Sequence, residues 1–267
     1  MMKAQVEEVD FHPELIDSHC HLDFPVFDDR RSTILKECKA HNISKFVVPG
    51  VKMATWLKLF ELAQQHSDIY PAYGLHPYFI DEHQESDIEQ LTAFLDAHPA
   101  VAIGEIGLDF YRDDLDKLLQ EKLFAKQLVI AEKRHLPIIL HVRKAHDNVL
   151  KMLRRSSVKG GVVHAFNGSV QQAHQYIEMG FKLGFGGAMT HPGAKHLRKL
   201  VSELPLNAIV VETDSPDMPP YQYNEPLNTP LSLLQVLNEI SSLRDEDLKV
   251  ISQQLLNNTH SIFPQLK

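Results

Sequence analysis

The sequence predicts an α/β fold, a (β/α)8 TIM barrel, on three observations. Short apolar runs alternate with longer amphipathic segments along the whole chain. The runs are continuous and rich in β-branched residues, as suits parallel strands buried on both faces. The length, 267 residues, fits one barrel without a second domain. A doubly wound sheet is the other way to arrange such an alternation, but no G-x-G-x-x-G follows the first strand.

The strand segments, in order, are Leu15-Ile16-Asp17, Lys45 to Val48, Ile69 to Tyr73 and Val101-Ala102-Ile103. Then come Leu136 to Leu140, Gly161 to His164, Phe181 to Gly184 and Ala208 to Val211. Between them Leu115, Leu118, Leu119 and Leu123 repeat at helical spacing, and Phe124, Leu128 and Ala131 continue the stripe. Asp147 is placed to cap the helix through Val149, Leu150 and Leu153, and Ser169 to cap the one reaching Ile177. A helix over Leu231 to Ile240 follows the last strand, and Leu248, Ile251 and Leu255 mark one more. The expected organisation is one barrel domain over 1–267, with an N-terminal extension at 1–13 and a C-terminal helix at 245–260. No internal repeat or low-complexity tract interrupts it.

Composition narrows the partners. The net charge of −8 gives no general attraction for polyanions, so a nucleic-acid substrate would need local cations to hold it. No apolar run reaches the ~18 residues of a membrane span, and Met1 to Glu14 lacks the pattern of a secretory signal. The two cysteines, Cys20 and Cys38, make no disulfide framework. A cytoplasmic monomer without membrane contact is the expectation. The 16 histidines are the unusual number, since imidazole is both the commonest metal ligand and the acid–base group of neutral pH.

Ligand-type residues fall at strand ends, which in a barrel all open into one mouth. After the first strand comes Asp17-Ser18-His19-Cys20-His21, where alternation sends both imidazoles the same way. Taken alone that signal is weak, because 16 His in 267 residues give about one such pair by chance. The context gives it weight. Strand four ends in Gly104-Glu105-Ile106-Gly107-Leu108-Asp109, strand five in His141-Val142-Arg143, strand six in His164 and strand eight in Glu212-Thr213-Asp214-Ser215-Pro216. Singly, each such histidine is more often a hydrogen-bonded structural residue, Glu105 a buried salt-bridge partner and Asp214 a turn cap. Together, His19, His21, Glu105, His141, His164 and Asp214 are too many for one tetrahedral zinc. They suit two divalent metal ions with Glu105 as the bridge. Zn, Mn, Mg or Ni would all be accepted by such mixed ligands.

The segments Asp17-Ser18-His19-Cys20-His21-Leu22-Asp23, Gly74-Leu75-His76-Pro77, Gly104 to Asp109 and Glu212 to Pro216 resemble the signatures of the TatD family. These are metal-dependent deoxyribonucleases among the amidohydrolase-like barrels, and the resemblance spans essentially the whole chain. Asp217-Met218-Pro219 and Leu255 to Thr259 look most like the YjjV branch. The resemblance implies that His19, His21 and Asp214 serve one metal, His141 and His164 the other, and Glu105 both. It also implies a 3′–5′ exonuclease acting on short or end-exposed DNA. In His164-Ala165-Phe166-Asn167-Gly168 the chain departs from the family, which often has Cys and Ser where Ala165 and Asn167 stand. That change touches loop packing or substrate fit, since the ligand remains.

For catalysis, Asp214 is expected to accept the proton of the attacking water, beside Glu105. Arg143 shares a face with His141 and is expected to grip a phosphate. His76 and Asp109 are expected to contact substrate, with Tyr111 and Arg112 nearby. Glu212 reads as support for the ligands. His191 reads as a possible rim residue, and His66, His83, His98 and His174 as solvated. Two rival functions stay open: hydrolysis of a small lactone, amide or phosphoester at the same centre, or a barrel that binds a partner without catalysis.

Overall fold

In the computed structural model, which describes residues 12–266, strands and helices alternate from Leu15 onward. The strands are β1 (Leu15–Asp17), β2 (Ile43–Pro49), β3 (Ile69–Tyr73), β4 (Ala102–Asp109), β5 (Ile138–Arg143), β6 (Gly161–Val163), β7 (Phe181–Phe185) and β8 (Ile209–Val211). They pair in parallel in that order, as one 8-stranded sheet. Closure follows just beyond the strand ends. Ser18 N donates to Val211 O at 3.0 Å, and Asp214 N donates to His19 O at 2.9 Å. The side chain of Asp17 ties the same seam, accepting from Thr213 Oγ1 at 2.6 Å and from Thr213 N at 3.1 Å. The expected TIM barrel is the fold observed. The proposed N-terminal extension, 1–13, lies outside the described residues apart from His12 and Pro13.

Around the barrel run α1 (Arg31–Ala40), α2 (Met53–Gln65), α3 (Asp87–Ala97), α4 (Lys117–Arg134), α5 (His146–Leu153), α6 (Val170–Glu178), α7 (Lys195–Glu203), α8 (Leu233–Leu243) and α9 (Leu248–Ile262). Ile16, Val47, Ala72, Ala102, Ile139, Val162 and Val210 fill the interior, with Phe263 and Leu266 packed against them. Strand alternation then fixes where the next inward residues go. His141 lies two residues beyond Ile139, and His164 two beyond Val162, so both inherit the inward face and emerge at the mouth.

β2 extends to Ile43–Pro49, and β4 and β5 extend into polar sequence outside the apolar pattern. β4 and β5 continue through Glu105 and His141 to Asp109 and Arg143, so these polar residues belong to the strands themselves. β4 also bulges between Ile103 and Ile106, which swings Glu105 inward while both isoleucines pack outward. Gly107 allows the close approach of β4 to β5. Its φ is +142°, and a Cβ there would sit 2.0 Å from His141 O.

The helices correct two expectations. Leu115, Leu123, Phe124, Leu128 and Ala131 are buried as expected, but Leu118 and Leu119, in the first turn of α4, are exposed, and Gln120 and Gln127 take places in the buried stripe. That stripe runs through Gln120, Leu123, Phe124, Gln127 and Leu128. The two glutamines are functional in position: Gln120 bonds both N and O of Asp109, and Gln127 both N and O of Leu75. Each holds one mouth loop by a paired amide contact. Asp147 is the second residue of α5 and not its cap, and it accepts from Gln172 Nε2 at 2.8 Å. Ser169 does cap α6, in a reciprocal box with Gln172.

Candidate metal centre

The floor of the mouth is a knot of imidazoles and carboxylates. His19 Nε2 lies 3.3 Å from His21 Nε2, 3.3 Å from Glu105 Oε2 and 3.5 Å from Asp214 Oδ1. His21 Nε2 is 3.6 Å from Asp214 Oδ1. On the other side of Glu105, Oε1 lies 3.1 Å from His76 Nε2 and 3.2 Å from His141 Nδ1. His164 stacks on His19 at 3.7 Å between ring centroids, with Nε2 3.6 Å from Asp214 Oδ2. Three sets of donor atoms converge: His19, His21 and Asp214; His19, Glu105 and His164; His76, Glu105 and His141.

These spacings suit a cation. A tetrahedral zinc with nitrogen ligands at about 2.0–2.1 Å sets its ligand atoms about 3.4 Å apart. Buried donors this close, with no other protein group between them, fit a divalent ion. The donor set, mixed imidazole and carboxylate, also fits one. His19, His21 and Asp214 group as the family resemblance implies. His141 and His164 do not face each other. His164 is turned to His19, with Nδ1 3.0 Å from Glu212 Oε1, and His141 has Nε2 3.1 Å from Asp109 Oδ2.

The remaining sequence-predicted residues divide. Arg143 lines the cavity and is exposed. His76 also lines it, but its Nε2 is engaged with Glu105. Asp109, expected to touch substrate, is buried behind His141 and supports that ring instead. Its own backbone is held by Gln120. Glu212 is the support it was read as. Its Oε1 also accepts from Ala165 N at 2.6 Å, and it packs where a side chain at Gly184 would be. His191 reaches Pro219 O from an exposed position. His83 and His98 are not simply solvated. His83 Nε2 bonds His76 O at 2.9 Å, and His98 stacks on Phe94 at 3.9 Å.

Above the floor opens a cavity of about 680 Å³. Its walls include Phe24, Tyr78, Phe79, Asp217 and Met218, none of them placed by sequence reasoning. The nearest signal was the run Tyr78-Phe79 after Gly74-Leu75-His76-Pro77. The rim pairs cations with rings. Arg143 lies 3.7 Å and Lys144 4.7 Å from the Tyr111 ring centroid, Arg112 lies 4.8 Å from Tyr78, and Lys52 4.4 Å from Phe79.

The centre sets its own proton occupancy. Burial opposes charge on His21, but Asp214 and Glu105 prevail and raise it to about 9. Burial likewise opposes charge on His164, which Glu212 and Asp214 push up to about 10. Burial would raise Asp214, yet His164, His21 and His19 hold it at about 2. Glu105 is held well below the usual carboxylate range by His76, His19 and His141, against its burial. Burial lowers His76 to about 4, so its ring is neutral. Burial opposes charge on His141 too, and Asp109 and Glu105 raise it, so at neutral pH a cation entering this centre displaces protons from His21 and His164 and competes with the one on His141. Calorimetric titration in buffers of differing ionisation enthalpy should record at least two protons released per chain at pH 7. Affinity should climb with pH until about 9 to 10. Without cations the sign reverses. These raised groups stabilise the fold fully below their unfolded value near 6.5, and that contribution is lost as pH rises through 9 to 10. Cation uptake without proton release at pH 7 would contradict this occupancy.

Residues 16–264 match the family model described as TatD related DNase. The chain is 38% identical over 251 residues to the metal-dependent hydrolase YjjV of Escherichia coli K12, covering 93% of this chain and 97% of that one. It is 30% identical over 251 residues to the metal-dependent hydrolase YabD of Bacillus subtilis 168, covering 93% and 98%. Among solved structures, the E. coli K12 TatD homologue YjjV superposes with a TM-score of 0.91 at 37% identity, over 95% of this chain and 99% of that one. A TatD-family hydrolase from Entamoeba histolytica superposes at 0.84 with 19% identity, over 95% and 99%, a likeness of fold.

Proposed function

The chain belongs to the family of TatD-related DNases, and from that premise we propose that it is a metal-dependent hydrolase cutting DNA phosphodiester bonds, removing nucleotides from a 3′ end. The observation that carries the reading is a cavity that holds the floor together with Arg143, Tyr78 and Phe79, with further cations stacked on rings beside it. A convergent imidazole–carboxylate floor lies beneath Arg143, Tyr78 and Phe79; Arg143 and Lys144 lie on Tyr111, and Arg112 and Lys52, paired with Asp114 and Glu82, lie on Tyr78 and Phe79. In a chain of net charge −8, this local clustering supplies the cations that a polyanion needs. The rings offer faces to bases freed from a duplex. No described helix is long and apolar enough to cross a membrane, and we place the protein in the cytoplasm as a monomer.

In this reading His19, His21, Asp214, Glu105, His141 and His164 hold two divalent cations. Such ions neutralise phosphoryl oxygens and make a water acidic enough to attack at neutral pH. Arg143, stacked on Tyr111 at the cavity wall, grips the scissile phosphate through its guanidinium fork. Asp214, ionised across the neutral range, takes the proton of the attacking water. Glu105 presents one oxygen to each side of the floor and fixes their spacing. Asp109 and Glu212 orient His141 and His164 from behind.

The test is hydrolysis of end-labelled single- and double-stranded oligonucleotides by metal-stripped protein, with Mg²⁺, Mn²⁺ or Zn²⁺ restored and His141→Ala as control. A cation-dependent ladder from the 3′ end is expected, lost in the variant, with kcat/KM falling steeply as salt rises. No cleavage by fully loaded protein would transfer the reading to a small ester, lactone or amide.

A further inference from the structure

Histidine clusters are sorted into ligands and supports by their tautomers, and a tautomer is set by what the far ring nitrogen faces. By distance alone His76 belongs to a cation site, with Glu105 and His141. Its hydrogen bonds say otherwise. We infer that His76 is locked as the Nε2–H tautomer, is no cation ligand, and serves as a positioning residue that donates to Glu105, so that the centre takes two cations and not three. The inference rests on the metal-centre reading above and refines its stoichiometry.

His76 caps the 3-10 turn Pro77–Glu82, and its Nδ1 accepts from Tyr78 N at 3.0 Å. Pro77 has no N–H, so Tyr78 N is the first donor the turn must satisfy. A backbone N–H can only donate, so Nδ1 must carry the lone pair. A neutral imidazole has one lone pair and one N–H. The proton is therefore on Nε2, 3.1 Å from Glu105 Oε1, where a carboxylate oxygen accepts it. Turning the ring over would take Nδ1 away from Tyr78 N and Nε2 away from Glu105 together. The residue is clamped besides: its N donates to Val51 O at 3.0 Å, and its carbonyl accepts from Phe79 N at 3.1 Å and from His83 Nε2 at 2.9 Å.

The other imidazoles of the centre differ in this one respect. His19 Nδ1 and His21 Nδ1 meet no hydrogen-bond partner among the described residues, so a proton there leaves Nε2 open. His164 Nδ1 faces Glu212 Oε1 at 3.0 Å, and both nitrogens of His141 face carboxylates. Among these rings in the described residues, His76 alone has a nitrogen that accepts from a backbone N–H, whereas His19 Nε2 and His21 Nε2 face each other at 3.3 Å. Its N–H instead directs Glu105 Oε1, keeping the carboxylate spread across the floor.

The experiment is long-range ¹H–¹⁵N correlation of histidine-labelled protein, stripped and then loaded with Zn²⁺, with His76 assigned by His76→Gln. His76 should show the Nε2–H pattern in both states, while His19, His21 and His164 shift on loading. Elemental analysis should find two zinc ions per wild-type chain at saturation. His76→Ala should also reach two, with affinity lowered about 10–100-fold, and His76→Gln, whose amide still donates, should lose less. An Nδ1–H tautomer, a zinc-shifted His76 Nε2, or three ions falling to two in the variants would each overturn the inference. A wild-type chain that takes no zinc would sink the metal-centre reading, and the tautomer of the stripped protein would still decide the lock.

Discussion

Asp214→Asn should lower kcat on DNA by about 10²–10⁴-fold, the range of a lost general base, with KM little changed. The carboxylate sits where the three cross-barrel imidazoles meet, its Oδ1 3.5 and 3.6 Å from His19 and His21 and its Oδ2 3.6 Å from His164. With its pKa held at about 2, it is ionised at every pH the enzyme works at, a weak base that takes a proton only in transit. Asparagine is the informative replacement for a backbone reason. Asp214 has φ +54°, a left-handed conformation that Asn tolerates nearly as well and most residues do not. The amide keeps one oxygen for coordination and loses the basic one. Steady-state kinetics beside elemental analysis checks the outcome. Near-normal kcat at normal cation content would remove Asp214 from the proton path and leave it as a ligand only.

Glu105→Gln should have the larger effect, because one carboxylate serves both halves of the floor. The expected result is loss of at least one cation per chain and a fall in kcat/KM of about 10³-fold or more, the equivalent of several kcal/mol of lost charge stabilisation. A second consequence concerns the stripped protein. Glu105 is 2% exposed and its pKa is depressed by His76, His19 and His141 against the cost of burial. A depressed carboxyl stabilises the fold above its unfolded value, near 4.3, and that contribution is lost as pH falls through the folded value. Thermal melts without cations should therefore separate wild type from variant at pH 7, and the gap should close in acid. A variant that retains two cations and turns over within tenfold of wild type would end the bridging role.

Much of this was readable from residue order, for physical reasons that also mark where reading failed. The strands announced themselves because parallel strands covered on both faces must be apolar throughout, as Val47-Val48 and Val162-Val163 are. The same rule hid the ends of β4 and β5, where the chain stays buried but turns polar to build the centre. His19, His21, His141, His164, Glu105 and Asp214 converge at one mouth because barrel topology sends every strand end there. What the pattern could not show was direction within the mouth. Nothing in the sequence says that His164 turns to Glu212, that Asp109 backs His141, or that Tyr78 N claims one nitrogen of His76. Those are facts of rotamer and tautomer, settled by contacts between distant segments. Leu118 and Leu119 misled for a simpler cause: they lie in the first turn of α4, where spacing matches the stripe but Gln120 takes the buried place to hold Asp109.

The seam between β1 and β8 has a consequence for biosynthesis. Asp17 and Thr213 are 196 residues apart, and their bonds join the segment carrying His19 and His21 to the one carrying Asp214. While the ribosome is still translating, the early histidines are exposed to the cell's metal pool without the carboxylate that completes their set. A chain released before residue 214 can neither close its barrel nor assemble the centre. Products that end before residue 214 should thus be inert, since the segments bearing His19, His21 and Asp214 meet only when the first strand and the last have paired.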